Sequence, residues 1–147
     1  MAVQPVIINF NTAQLIIGGF PLYINPQPVY TDSGSGSTIP AGTVMGRVFA
    51  TGKVIPLVSS ATDGSENPIG ILTESITAAA SASVPCSIVY GGEIASNLIV
   101  FSNGTDTLAT TVGSQSTGGT IQDMITRNTQ LAIISTTDLS NYDNPIN

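Results

Sequence analysis

Asp63, Ser65 and Glu66 surround Gly64 in the run ATDGSENPIGIL, residues 61–72, within a chain nearly empty of charge. Oxygen-bearing side chains at this spacing suggest calcium binding or a pair of carboxylates doing acid–base work. A calcium loop uses six or more oxygens, with acids at alternating positions and a closing bidentate Glu. Here only Asp63, Ser65 and Glu66 are available, and Glu66 follows Ser65 directly. Glycoside hydrolysis needs one carboxyl with a raised pKa, and two acids three residues apart on a turn have no burial to raise it. Asp-Gly is a turn dipeptide, and Asn67-Pro68 continues the loop before a new apolar run. The expectation is therefore a structural turn at Asp63, Gly64 and Ser65, with no catalytic, cofactor-binding or metal-binding residue.

The other candidates for chemistry are weaker. Cys86 is the only cysteine, so no intrachain disulfide framework exists. The chain has no histidine to activate a nucleophile. Gly91-Gly92-Glu93 and the IIGGF run at 16–20 are not followed by the helix or lysine of a phosphate loop. Asn103-Gly104-Thr105 matches a glycosylation sequon, but no basic residue precedes Arg47 to open a signal peptide. Tyr23 and Tyr90 have few aromatic companions from which to build a sugar site.

Composition bounds the partners. The 147 residues suit one domain, with 41% hydrophobic and only 8% charged residues and a net charge of -6. A surface so poor in charge is made of Ser, Thr, Asn, Gln and Gly, and suits a protein packed against neighbours. Arg47, Lys53 and Arg127 are the only cations. Nucleic-acid binding needs a basic cluster, so no direct nucleic-acid partner is expected. No segment reaches the ~18 apolar residues of a membrane span, so no membrane partner is expected either.

Periodicity then supplies the elements. Phe20, Leu22 and Ile24 alternate against Pro21, Tyr23 and Asn25, which is strand period. DSGSGST at 32–38 reads as a flexible loop. GTVMGRVFA (42–50), KVIPLV (53–58) and IGILTE (69–74) are strand runs, and NLIVF (97–101) is a further strand candidate with a short helical turn as the alternative. SVPCSIVYGGEI (83–94) reads as one half-buried strand through Val84, Cys86, Ile88 and Tyr90. Asn103-Gly104 marks a tight turn, within a polar loop over 102–119. Thr120 is the expected cap of a helix over 121–128, with Asp123 reaching back and Ile121, Met124 and Ile125 on one face. LAIIS at 131–135 closes the sheet. The fold expected is mainly β (α+β): a small β-barrel or sandwich-like domain with one short C-terminal helix and an extended N-terminal arm. The boundaries expected are an arm and Ser/Gly loop at 1–38, the β domain at 39–136, and a polar tail at 137–147.

The stretch PAGTVMGRVFATGKVIPLVSSATDGSENPIGIL, residues 40–72, resembles the core of the lambda-like bacteriophage head decoration proteins. The similar elements are Pro40-Ala41-Gly42-Thr43-Val44 with Gly46, Thr51-Gly52-Lys53, Asp63-Gly64-Ser65, and Ile69-Gly70-Ile71-Leu72. VPCSIVYGGEI (84–94) and the helix-to-strand run at 121–134 extend the resemblance over about residues 40–134. It implies a homotrimer on the outer surface of the expanded capsid at local threefold points. Its partner there would be the major capsid protein, and it would cement the shell against packaged DNA. The long N-terminal segment departs from the pattern. Val6, Ile7, Ile8, Phe10, Leu15, Ile16, Ile17, Phe20 and Leu22 leave many apolar groups needing a partner, which makes this segment the expected capsid-docking element. A head fibre or receptor- or carbohydrate-binding appendage is the rival, with function in the loops at 32–38 and 102–119. A secreted β-adhesin module is a further alternative.

Overall fold

Val44 and Met45 are adjacent in sequence, yet their side chains lie in two different hydrophobic cores. The same split separates Ile71 from Leu72 and Val89 from Ile88. Successive side chains of a strand point to opposite faces, so one sheet runs through the middle of the molecule with both faces covered.

The computed structural model describes residues 9–10, 13–14, 23–25, 29–32, 34–113 and 119–135. In chain order the strands are β1 (Asn9–Phe10), β2 (Ala13–Gln14), β3 (Tyr23–Asn25), β4 (Val29–Thr31), β5 (Ser37–Ile39), β6 (Val44–Arg47), β7 (Val54–Pro56), β8 (Pro68–Leu72), β9 (Ile76–Ala78), β10 (Ser83–Pro85) and β11 (Ile88–Ala95). A 3-10 turn at Ser96–Leu98, the helix α1 (Ile121–Asn128) and β12 (Gln130–Ile134) complete the order. The fold is mainly β with one short helix near the C-terminal end, as expected.

The central sheet runs β10-β4-β7-β6-β8-β11. Strand β11 is its hub. Ile88 stands opposite both Leu72 and Asn25, and Gly91 opposite both Tyr23 and Gln130. Strands β8 and β12 therefore follow one another along one edge of β11, and β3 lines the other. The pairs β4–β7 and β11–β12 are parallel. β5 and β9 form a separate antiparallel ribbon, and β1 pairs with β2.

The ribbon brings Ile39, Ile76 and Ala78 over one face, against Tyr30, Met45, Val54, Leu72, Cys86 and Ile88. On the other face α1 brings Ile121, Met124 and Ile125 onto Val44, Ile71, Val89, Ile94 and Leu131. Each such side chain, fully buried, contributes roughly 1.5–3 kcal/mol of transfer free energy.

Helix α1 is fixed by its first turn. Thr120 Oγ1 accepts from Asp123 N at 3.2 Å, and Asp123 Oδ2 accepts from Thr120 N at 3.0 Å. This capping box satisfies two otherwise unpaired N–H groups. Arg127 in the last turn favours the negative end of the helix dipole. Thr120→Ala should cost about 1 kcal/mol and lower the Tm by roughly 2–4 °C, read by thermal circular dichroism. An unchanged Tm would mean that the helix is held by packing alone.

Some expectations are corrected. The run 83–94 is two strands, with Cys86-Ser87 between them, because β10 pairs with β4 while β11 pairs with β8. Both Ile88 and Val89 are buried, since both faces of β11 are covered. β3 and β4 belong to the central sheet and β5 to the covering ribbon. Ser37 and Thr38 are strand residues rather than loop. For the run 97–101 the helical-turn alternative holds at its start, in the 3-10 helix Ser96–Leu98, and Val100 then bridges to Thr43. The polar loop after residue 102 also packs inward: Val112 is buried, Leu108 lies against the core, and Thr111 bridges to Thr120.

Candidate functional site

The Asp63–Glu66 segment is built around its own backbone. Asp63 Oδ1 accepts from Ser65 N at 3.0 Å and from Ser65 Oγ at 2.6 Å. Gly64 N donates to Glu66 Oε2 at 2.8 Å, and Asn67 Nδ2 donates to Glu66 Oε1 at 3.1 Å. Asn67 N closes the turn on Gly64 O at 3.0 Å. The Ser65 hydroxyl, then its N–H, hold the Asp63 carboxyl below the usual carboxylate range. Such a carboxylate is a poor proton donor at neutral pH. Its partner Glu66 is 5% exposed, a burial that the sequence reading did not anticipate. The cause is packing, since Ser65 lies directly over the backbone of Gly46 in β6.

Gly64 sits at φ +105°, and a Cβ there would approach Phe49 Cγ to 2.6 Å and Arg47 O to 2.7 Å. We propose that this turn serves the fold alone. Asp63→Asn keeps an acceptor oxygen and should change the Tm less than Thr120→Ala does. Gly64→Val should lower it far more, through strain and overlap together. Calcium should leave the wild-type Tm unmoved. A calcium-dependent rise, with Asp63→Asn abolishing it, would overturn the assignment.

Two further carboxylates close loops in the same manner. Asp32 Oδ2 accepts from Gly34 N at 2.8 Å, Gly36 N at 2.9 Å and Ser81 N at 3.2 Å. Its Oδ1 accepts from Ser37 Oγ at 2.6 Å. The Ser37 hydroxyl, followed by the Gly34 and Gly36 N–H groups, holds Asp32 far below the ordinary carboxylate value. The loop expected to be flexible is thereby pinned to the β9–β10 turn. Asp106 accepts from Ser59 N at 3.0 Å and Ser59 Oγ at 2.7 Å. Burial pushes Asp106 up, but these bonds and one from Asn103 outweigh it and leave its pKa lowered.

Asp32, Asp63, Glu66, Asp106 and Asp123 thus hold backbone in place, out of nine acids in the chain. Among the described residues, no three His, Cys, Asp or Glu side chains group as metal ligands. Cys86 is buried, and burial raises its thiol pKa, the opposite of an activated nucleophile.

Of the expected docking residues, Val6, Ile7, Ile8, Leu15, Ile16, Ile17, Phe20 and Leu22 lie outside the described residues. Phe10 stands in β1, its backbone opposite Ala13. The sequence reading also missed Phe49. It is 74% exposed at the β6–β7 turn, between the exposed Arg47 and Lys53. The clue was in the sequence, since two of the three cations flank that phenylalanine within seven residues.

Comparison with protein families gives a match. The model described as bacteriophage lambda head decoration protein D aligns with residues 24–121, more than half of the 147-residue chain. The match begins at Ile24 in β3, and so takes in β4 and β5 but not β1 or β2. No curated protein matches the chain.

Proposed function

The chain belongs to the bacteriophage lambda head decoration protein D family, and from that membership we propose how this phage capsid decoration protein works. It binds the outer surface of the expanded head as a homotrimer at local threefold positions. There it contacts the major capsid protein and braces the shell against the pressure of packaged DNA. The observation that carries this reading is the family match across the central sheet, from β3 to the first residue of α1. The distribution of carboxylates supports it, because Asp32, Asp63 and Asp106 are occupied in closing loops. The protein works by contact and is not an enzyme.

Docking falls to the N-terminal segment. Val6, Ile7, Ile8, Phe10, Leu15, Ile16, Ile17, Phe20 and Leu22 supply the apolar groups. An extended strand can add to a sheet edge of the capsid protein, its backbone giving affinity and its side chains giving register. Three such arms act together. At an effective concentration on the order of millimolar, avidity exceeds that of one arm by about 10²–10⁴-fold.

Deleting residues 2–18 tests the arm. The truncated protein should melt cooperatively and fail to co-sediment with purified expanded heads that the full chain saturates. Unfolding of the truncated protein, or decoration at wild-type occupancy, would refute the arm's role.

A further inference from the structure

We infer that Asn103 is a site of spontaneous deamidation, and that its conversion to aspartate or isoaspartate loosens the clasp by which Asp106 holds Ser59. The inference rests on the geometry of the loop after Phe101 and holds whether or not the protein decorates heads.

Asn103-Gly104 is the only Asn-Gly pair in the chain, and both residues are exposed. Deamidation begins when the backbone nitrogen of the following residue attacks the side-chain carbonyl carbon. A glycine leaves that nitrogen unshielded. Around Gly104 the space is open as well, since nothing lies within 4 Å of where a Cβ would stand. Gly104 N is tied to Phe101 O at 3.2 Å, the long limit of such a bond. The carbon under attack is prepared too. Asn103 Oδ1 accepts from Asp106 N at 3.0 Å and from Thr105 N at 3.3 Å. Two N–H groups aimed at a carbonyl oxygen stabilise the negative charge that the attack places there. The new bond joins Gly104 N to Asn103 Cγ, the Cγ–Nδ2 bond breaks, and the amide nitrogen leaves as ammonia with the proton from Gly104 N. Water then opens the cyclic imide at either carbonyl, giving aspartate or isoaspartate. One water is consumed and one ammonia released, and nothing is oxidised or reduced.

The same amide serves Asp106 twice. Its oxygen accepts from the Asp106 N–H, and the Asn103 side chain also hydrogen-bonds the Asp106 carboxylate, which it helps to keep ionised. That carboxylate accepts from Ser59 N at 3.0 Å and Ser59 Oγ at 2.7 Å. Ser59 lies in the connection from β7 to β8, and its carbonyl accepts from Gly113 N at 3.3 Å. The clasp thus ties that connection to the loop that carries Leu108 and Val112 into the core. Deamidation replaces the amide donor by a carboxylate, and two like charges then meet beside Ser59. The isoaspartate form also adds a methylene to the main chain, which puts the Phe101–Gly104 turn out of register.

Peptide mapping by mass spectrometry of the full chain, aged at mildly alkaline pH, tests the site. Asn103 should convert before every other asparagine. Asn67 is the internal reference, because Pro68 after it has no N–H to attack with. Gly104→Ala should slow the conversion several-fold by shielding the nitrogen. Asn103→Asp tests the consequence. It keeps the oxygen that accepts from Thr105 N and Asp106 N, so only the charge and the lost donor are new. It should lower the Tm by roughly 2–4 °C, with the loss narrowing as salt rises, and should quicken hydrogen exchange at Ser59 N. An aged protein in which Asn103 stays intact, or converts no sooner than the other asparagines, would overturn the site. So would a Gly104→Ala variant that converts at the wild-type rate. An Asn103→Asp variant with the wild-type Tm and unchanged exchange at Ser59 would overturn the loosening.

Discussion

Gly46→Ala should produce the largest loss of stability of any single added methyl group in this protein. Gly46 lies in the buried part of β6, with Ile55 opposite on one side and Pro68 on the other. A Cβ there would run into Ser65 O, with Ser65 C at 2.7 Å and Ser65 Cα at 3.0 Å. All three are backbone atoms, so no rotamer change relieves the overlap. Nor can the turn lift away easily. Its Ser65 and Glu66 are buried, and Phe49 N holds Asp63 O. Overpacking of this kind costs about 3 kcal/mol or more, which for a chain of this size is a Tm drop on the order of 10 °C. Gly113→Ala is the control. Nothing lies within 4 Å of a Cβ there, and the change should be neutral or stabilising by about 0.4–1 kcal/mol. Equal melting of Gly46→Ala and wild type would show that the Asp63–Glu66 turn does not rest on β6.

Asp32→Ala should be the most damaging loss of a polar group. It strands the Gly34, Gly36 and Ser81 N–H groups and the Ser37 hydroxyl at one stroke. Those donors belong to the β4–β5 connection and to the β9–β10 turn, so the ribbon that covers one core loses its tie to the sheet. The Tm should fall several times further than in Thr120→Ala, and hydrogen exchange should quicken in β5 and β9 before β6 and β8. Acid should have a related effect. Asp32 has a folded pKa below its unfolded value, so its contribution is present above about pH 4 and is lost as the pH falls through the folded value. Asp63 and Asp123 are lowered too and act in the same direction. The wild-type Tm should therefore hold from neutrality to about pH 4 and decline below it. In Asp32→Ala that decline should be shallower. A parallel decline in both proteins would assign the acid sensitivity elsewhere.

Local signals were the legible ones. The cap at Thr120, the reach-back of Asp123 and the apolar face of α1 all lie within six residues, so the helix could be read directly. The strand runs at β6, β7 and β8 were equally plain. What escaped was set by distant partners. Asp32 closes its loop onto Ser81, far along the chain, and no local pattern marks it. The alternation through 83–94 suggested one strand with a wet face, but both faces of β11 are covered. The burial of Glu66 follows from Gly46 letting the turn settle on β6, a contact between segments some twenty residues apart. The Asp63–Glu66 turn showed its residue types in sequence but not its burial, and the exposure of Phe49 was marked only by the two cations that flank it.

An electron cryomicroscopy reconstruction of expanded heads saturated with the purified protein tests the central claim most directly. The account predicts added density on the outer surface, one three-lobed knob at each local threefold position. Each lobe should accommodate the β10-β4-β7-β6-β8-β11 sheet with its ribbon and helix. Density inside the shell, at the tail vertex alone, or projecting as a fibre from isolated sites would contradict it.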